Sequence, residues 1–101
     1  MSVTVQVADD NKSATIKLHE RFDFSLHSDF RNAYKDITLL DGEYLVDLSG
    51  TDYLDSSALG MLLLLKEHAD AQLSSVRLVG FNDEVREILN IASFDKLFQM
   101  G

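Results

Sequence analysis

The stretch Asp55-Ser56-Ser57-Ala58-Leu59-Gly60 sets two adjacent hydroxyls behind a carboxylate and ahead of a strongly helical apolar run. Three kinds of chemistry fit such a placement. A serine at a helix start can accept an unpaired backbone N–H, a cap whose loss to alanine costs about 1 kcal/mol. One serine suffices for that, so the second is surplus. A hydroxyl at the positive end of a helix also sits where a phosphate is structurally tolerated. That modification would move the formal charge from −8 to about −10, concentrated at one point. Third, a serine can be a nucleophile, which requires a base within hydrogen-bond reach and an oxyanion hole. The histidines are His19, His27 and His68, in no recognisable catalytic pattern, and no Gly-x-Ser-x-Gly elbow occurs. The chain is therefore expected not to be an enzyme.

Cofactor and metal chemistry find no support either. The absence of cysteine removes thiolate ligands and thiol nucleophiles. His27 and Asp29 are two apart and point to different sides of a helix, so each histidine is expected to be solvated. No glycine-rich phosphate loop is present. Neither a cofactor nor a metal is expected.

The elements that position the two serines follow from periodicity. Val3, Val5 and Val7 alternate with Thr4 and Gln6, as do Ala14, Ile16 and Leu18 with Thr15 and Lys17. The polar turn Asp9-Asp10-Asn11-Lys12 joins these two half-buried strands into a hairpin. Leu26, Phe30, Ala33 and Ile37 recur at helical spacing, with Ser25 as the expected cap and Asp41-Gly42 as the break. Tyr44 to Leu48 reads as an interior strand, apolar on both faces. The serine-led helix runs to about Gln72, and Val76 to Val79 forms another strand. Asn82 caps a third helix with Asp83 and Glu84 in its first turn and Val85, Ile88, Leu89 and Ala92 buried. Leu97 to Met100 supplies a last short strand. The order β-β-α-β-α-β-α-β implies an α/β domain with a mixed sheet and three helices, mostly parallel beyond the hairpin.

On the serine-led helix, Ala58, Met61, Leu62, Leu65 and Ala69 make one stripe, expected to lie on the sheet. Leu59 and Leu63 fall to one side and Leu64 to the other. A helix apolar nearly all round must be covered on more than one face, by neighbouring helices or by another protein; neighbouring helices are the expected cover, and Leu63 is the best candidate for contact with another protein.

At 101 residues the chain is expected to be one domain spanning 1–101. Its 46% hydrophobic and 26% charged residues exclude intrinsic disorder. The apolar run Leu59 to Leu65 is too short to cross a bilayer, and the N-terminus lacks signal-peptide character. A cytoplasmic location without a membrane partner is expected. The charge of −8 argues against nucleic acid, whose phosphates repel such a surface.

"YLVDLSGTDYLDSSALGMLLLLKEHA" resembles the central motif of the STAS domains, in particular the bacterial anti-sigma factor antagonists. The element order, "FDF" at Phe22 to Phe24 and "VREILNIASFDKLFQM" resemble that family too, so the likeness spans nearly the whole chain. It implies a STAS-like fold and a partner switch. Ser56 would be phosphorylated by a serine kinase of the histidine-kinase-like ATPase type, and a PP2C-type phosphatase would reverse this. Asp55 would shape the loop, Ser57 would be the neighbouring cap, and Asp23 a flanking acid. The unmodified form would bind an anti-sigma factor, the switch kinase or another output protein through Asp23, Asp55, Ser56, Ser57, Leu59 and Leu63. The other implied reading is a non-switching STAS subunit of a larger complex or transporter. Ala58 and Glu20 stand where the family usually has glycine. The chain stops at Gly101, where many relatives run on into a final helix, implying a less covered edge or face.

Overall fold

The alternating valines form β1 (Val3–Val7), and the chain returns antiparallel as β2 (Ser13–Leu18), with Val3 opposite Leu18 and Val7 opposite Ala14. A computed structural model describes residues 3–19 and 21–101. Asn11, at φ 57°, turns the hairpin in the left-handed region that asparagine tolerates. β3 (Glu43–Asp47), β4 (Ser75–Val79) and β5 (Gln99–Met100) then add in parallel, giving the order β1-β2-β3-β4-β5. Between them run α1 (His27–Tyr34), α2 (Ser56–Asp70) and α3 (Asp83–Ile91). Among the described residues this is the expected α/β arrangement, a mixed sheet with three α-helices.

Side chains alternate across the sheet. Ala14, Ile16, Leu18, Tyr44, Val46, Val76 and Leu78 are buried and join Phe30, Leu62, Leu65 and Leu89 in one apolar cluster. The opposite face is half-buried and carries cross-strand ion pairs, Lys17 to Asp47 at 4.0 Å and Arg77 to Glu43 at 3.2 Å. β3 is interior as expected, yet Leu45 on the open face is only half-buried, because the buried stripes of the helices cover a single face. β1 also departs from expectation. Val3 is buried, but Val5 and Val7 are 41% and 37% exposed, since β1 is the edge strand and its cover ends early.

The first helix is shorter than its sequence spacing predicts. A 3-10 turn over Phe24–Leu26 leads into α1, which ends at Tyr34 and leaves Ile37 outside. Ile37 is held elsewhere: its carbonyl accepts from Gln72 Nε2 at 2.8 Å. The buried Tyr44 hydroxyl donates to Gln72 Oε1 at 2.6 Å, and the same oxygen accepts the Leu39 N–H at 2.9 Å. Burial pushes the Tyr44 phenol above its ordinary range. His68 belongs to this network, 2.9 Å from the Ile37 carbonyl and packed against the Tyr34 and Tyr44 rings. The solvated state expected of it is therefore corrected: its place on α2 turns it toward the α1–β3 connection.

Two glycines separate a structural from a surface role. Gly80 has φ +74°, and a Cβ there would meet Asp47 Oδ1 at 2.9 Å and Ser49 Cβ at 3.1 Å. Gly60, inside α2, would meet nothing within 4 Å. Gly80→Ala is expected to destabilise by about 1–3 kcal/mol through strain and crowding. Gly60→Ala is expected to stabilise by about 0.5–1 kcal/mol through helix propensity. Thermal melts of both variants check this, and a stable Gly80→Ala would contradict the packing described.

Candidate functional site

The loop after β3 carries the chain to α2, and its ends are anchored by the buried Leu48 and Leu54. Leu48 N–H donates to the Val79 carbonyl at 2.9 Å, tying the loop to the end of β4. A short parallel bridge pairs Phe22 with Leu54. Phe22 N–H donates to the Tyr53 carbonyl at 3.0 Å, and Asp55 N–H to the Phe22 carbonyl at 3.3 Å. Parallel pairing advances both chains together, so the bridge brings Asp23 beside Asp55. Two of the expected acids therefore follow directly on the two paired residues, although they lie far apart in sequence. Glu20, the other departure from the family pattern on this side, lies outside the described residues.

Asp55 is extended (φ −104°, ψ −175°), and its Oδ1 accepts the Ala58 N–H at 2.9 Å. The cap of α2 is this carboxylate. The expectations that a serine caps the helix, and that Ser57 is the neighbouring cap, are corrected. A carboxylate both accepts the free N–H and opposes the positive helix end. Ser56 and Ser57 become the first two helical residues, Ser56 exposed and Ser57 half-buried. Among the described residues the Ser56 hydroxyl takes part in no side-chain hydrogen bond. It is free for chemistry done to it, and no histidine is engaged with it as a base.

A similar correction applies at the flanking acid. Ser25 was the expected cap of the first helix, but Asp23 caps the 3-10 turn, its Oδ1 accepting the Ser25 N–H at 2.9 Å and the Ser25 hydroxyl. The Ser25 hydroxyl and N–H, aided by Arg21, hold the Asp23 carboxyl below the usual carboxylate value despite a small opposing burial effect. Asp23 is thus a fixed negative charge at neutral pH.

At about 100° per residue, Ser56, Gly60, Leu63 and Glu67 fall on one stripe of α2. All four are exposed, Leu63 by 39%. The expected inner stripe of Ala58, Met61, Leu62, Leu65 and Ala69 is buried. Leu59 is partly buried against the core, so its packing role accompanies any contact role. Leu64, on the other flank, is 47% exposed.

Several residues of this corner were not picked out from sequence. Gly60 carries the clearest signal, a helix-weakening residue with no internal crowding to require it. Tyr53 and Phe24 stand 41% and 66% exposed. Arg21 lies over the Tyr53 ring at 4.6 Å and pairs with Asp23 at 3.4 Å. Nothing in the sequence signals Arg21, because only the Phe22–Leu54 bridge gathers it with Tyr53; Tyr53 and Phe24 lie within the family-like motifs, but their exposure is not legible there. No group of three or more His, Cys, Asp or Glu side chains suited to a metal occurs among the described residues. No helix among them is long and apolar enough to cross a membrane.

Comparison with known proteins places this geometry in context. The family model described as "Mlab, STAS domain" matches residues 5–99. A STAS-domain containing protein of Pseudomonas aeruginosa (strain UCBPP-PA14) is 44% identical over 101 residues, the full length of both chains. Among solved structures, a Thermotoga maritima protein provisionally assigned as an anti-sigma factor antagonist superposes with a TM-score of 0.82 at 18% identity, covering 97% of this chain and 84% of that one. The anti-sigma factor antagonist SpoIIAA in its unphosphorylated form gives 0.72 at 14% identity, with coverage of 98% and 86%. The phosphorylated form of the Bacillus protein gives 0.59 at 11%, with coverage of 98% and 90%. These structural likenesses establish a shared fold.

Two outcomes test the site as described. Asp55→Ala is expected to cost about 1 kcal/mol, whereas Ser56→Ala and Ser57→Ala stay within about 0.5 kcal/mol; urea melts that rank a serine first would contradict the carboxylate cap. The second concerns Asp47 at the end of β3. Burial raises its pKa, but the Ser49 N–H and hydroxyl, Lys17 and His19 outweigh this and leave it lowered. A lowered folded pKa adds stability that is present above the ordinary carboxylate value and is lost as pH falls through the folded one. Asp47→Asn is therefore expected to flatten the loss of stability below about pH 4, as read from melts across an acid series.

Proposed function

The chain belongs to the STAS domain family, and from that membership we propose that it is an anti-sigma factor antagonist working as a phosphorylation-controlled partner switch. The carrying observation is the released hydroxyl. Asp55 caps α2, so Ser56 stands exposed at the helix start with no structural duty. A kinase can modify it without dismantling the fold, and the helix end tolerates the added anion.

The docking surface in this reading is the corner formed by Asp23, Asp55, Ser56 and Ser57, continued along α2 by Leu63 and the flank of Leu59. Gly60 keeps the path between serine and leucine low, so a partner can approach the helix backbone closely. The partner is an anti-sigma factor, the serine switch kinase or another output protein, and occupying it releases what it held. A PP2C-type phosphatase resets the cycle. Phosphate on Ser56 disfavours the contact by adding charge beside Asp23 and Asp55 and by the cost of desolvating a dianion. A hundredfold weakening requires about 2.7 kcal/mol, within reach of one badly desolvated charge. The protein acts as substrate and switch.

Capture from lysate with wild type, Ser56→Ala and Ser56→Asp, together with phosphosite mapping, tests the reading. Ser56→Ala is expected to retain the wild-type partner and Ser56→Asp to lose it. Leu63→Ala is expected to weaken capture by about tenfold, the effect of roughly 1.4 kcal/mol. Equal capture by the alanine and aspartate variants would instead identify a non-switching STAS subunit of a larger complex.

A further inference from the structure

Arg21 brings positive charge to the Ser56 corner, and it is held there loosely. Its Nε lies 3.4 Å from Asp23 Oδ2, and its side chain is 62% exposed. Its Cζ stands 4.6 Å from the centroid of the Tyr53 ring. An exposed ion pair and an exposed cation–π contact are both weak, because water screens the charges. Neither would hold the guanidinium against a stronger anion nearby.

Ser56 is where such an anion would appear. The Phe22–Leu54 bridge runs Arg21 alongside Tyr53 and Asp23 alongside Asp55, and Ser56 is the next residue. Paired chains lie about 4.8 Å apart and consecutive Cα atoms about 3.8 Å apart, distances that a pivoting arginine spans. We infer that Arg21 is the residue that responds to the phosphate: when Ser56 is phosphorylated, the guanidinium leaves Asp23 and Tyr53 and pairs with the phosphate oxygens. This rests on the reading of Ser56 as the modified residue.

The chemistry favours the exchange. A phosphoserine carries about −1.5 to −2 charges and three acceptor oxygens, which suit the planar fork of a guanidinium better than the single carboxylate of Asp23. The acids Asp55, which precedes Ser56, and Asp23, which pairs with Arg21, repel a new dianion, so the cation beside them is drawn toward it. His27 is stacked on Phe24 with ring centroids 5.3 Å apart, so it is a further titratable group beside the Asp23 segment. Departure of Arg21 would strip the cation from the face of Tyr53. Phosphorylation then changes the shape of the aromatic surface beside the serine as well as its charge.

The test uses full-length protein with phosphoserine installed at position 56 during translation, as wild type and as Arg21→Gln, titrated by phosphorus NMR. The expected result is a second phosphate ionisation about 0.5–1 pH unit lower in wild type than in Arg21→Gln, with the difference shrinking in about 1 M salt. The Tyr53 ring resonances are expected to move on phosphorylation only when Arg21 is present. Equal titrations in the two proteins, or a Tyr53 ring that does not respond, would overturn the assignment. A proton–nitrogen correlation spectrum verifies that the variant is folded. Because the phosphoserine is installed, this result is independent of whether cells phosphorylate Ser56 or whether a partner senses it, so the two readings fail separately.

Discussion

A carboxylate of Asp55 accepting the Ala58 N–H at 2.9 Å frees the hydroxyl on which the proposed switch depends. Were a serine the cap, phosphorylating it would remove the acceptor that holds the helix start, and modification would be coupled to fraying. With the acid in that role, the helix keeps its cap whatever happens at Ser56. In the proposed switch, the arrangement separates stability from signalling across a single peptide bond.

The cap works only because its loop is held from both sides. Leu48 and Leu54 are buried at its two ends, and the Phe22–Leu54 bridge fastens it to the segment after β2. Gly80, at φ +74°, lets the loop after β4 close against Asp47 and Ser49. The corner is thus built from the carboxyl ends of parallel strands, where loops converge in open α/β sheets. Asp23, Tyr53 and Arg21 share it although no local pattern links them.

The sequence was most legible where periodicity meets burial. The stripe from Ala58 to Ala69, the Asn82 cap, which accepts the Val85 N–H at 2.8 Å, and the opening hairpin follow from residue types and spacing alone. The cap of α2 was not legible, because Asp55, Ser56 and Ser57 are all good capping residues and only the extended backbone of Asp55 selects among them. The end of α1 was hidden for a different reason. The spacing continues to Ile37, but that residue is claimed by His68 of α2 and by Gln72 just past its end. Tertiary hydrogen bonds override local propensity there. The exposure of Val5 and Val7 likewise depends on how far the cover reaches, which alternation does not encode.

The chain's −8 charge gives little sense of the field at Ser56. Charges beyond about 8 Å are largely screened at physiological salt, so only the local set matters. Asp23 and Asp55 lie within that set by virtue of the bridge, and Arg21 is held beside Asp23. Arg21 therefore partly neutralises the corner, in which the rings of Tyr53 and Phe24 are exposed. In the proposed switch a phosphate shifts that balance by more than Arg21 can offset, even when it turns toward the new charge. The change is sharp because the corner is small, and it spares the rest of the surface because screening confines it.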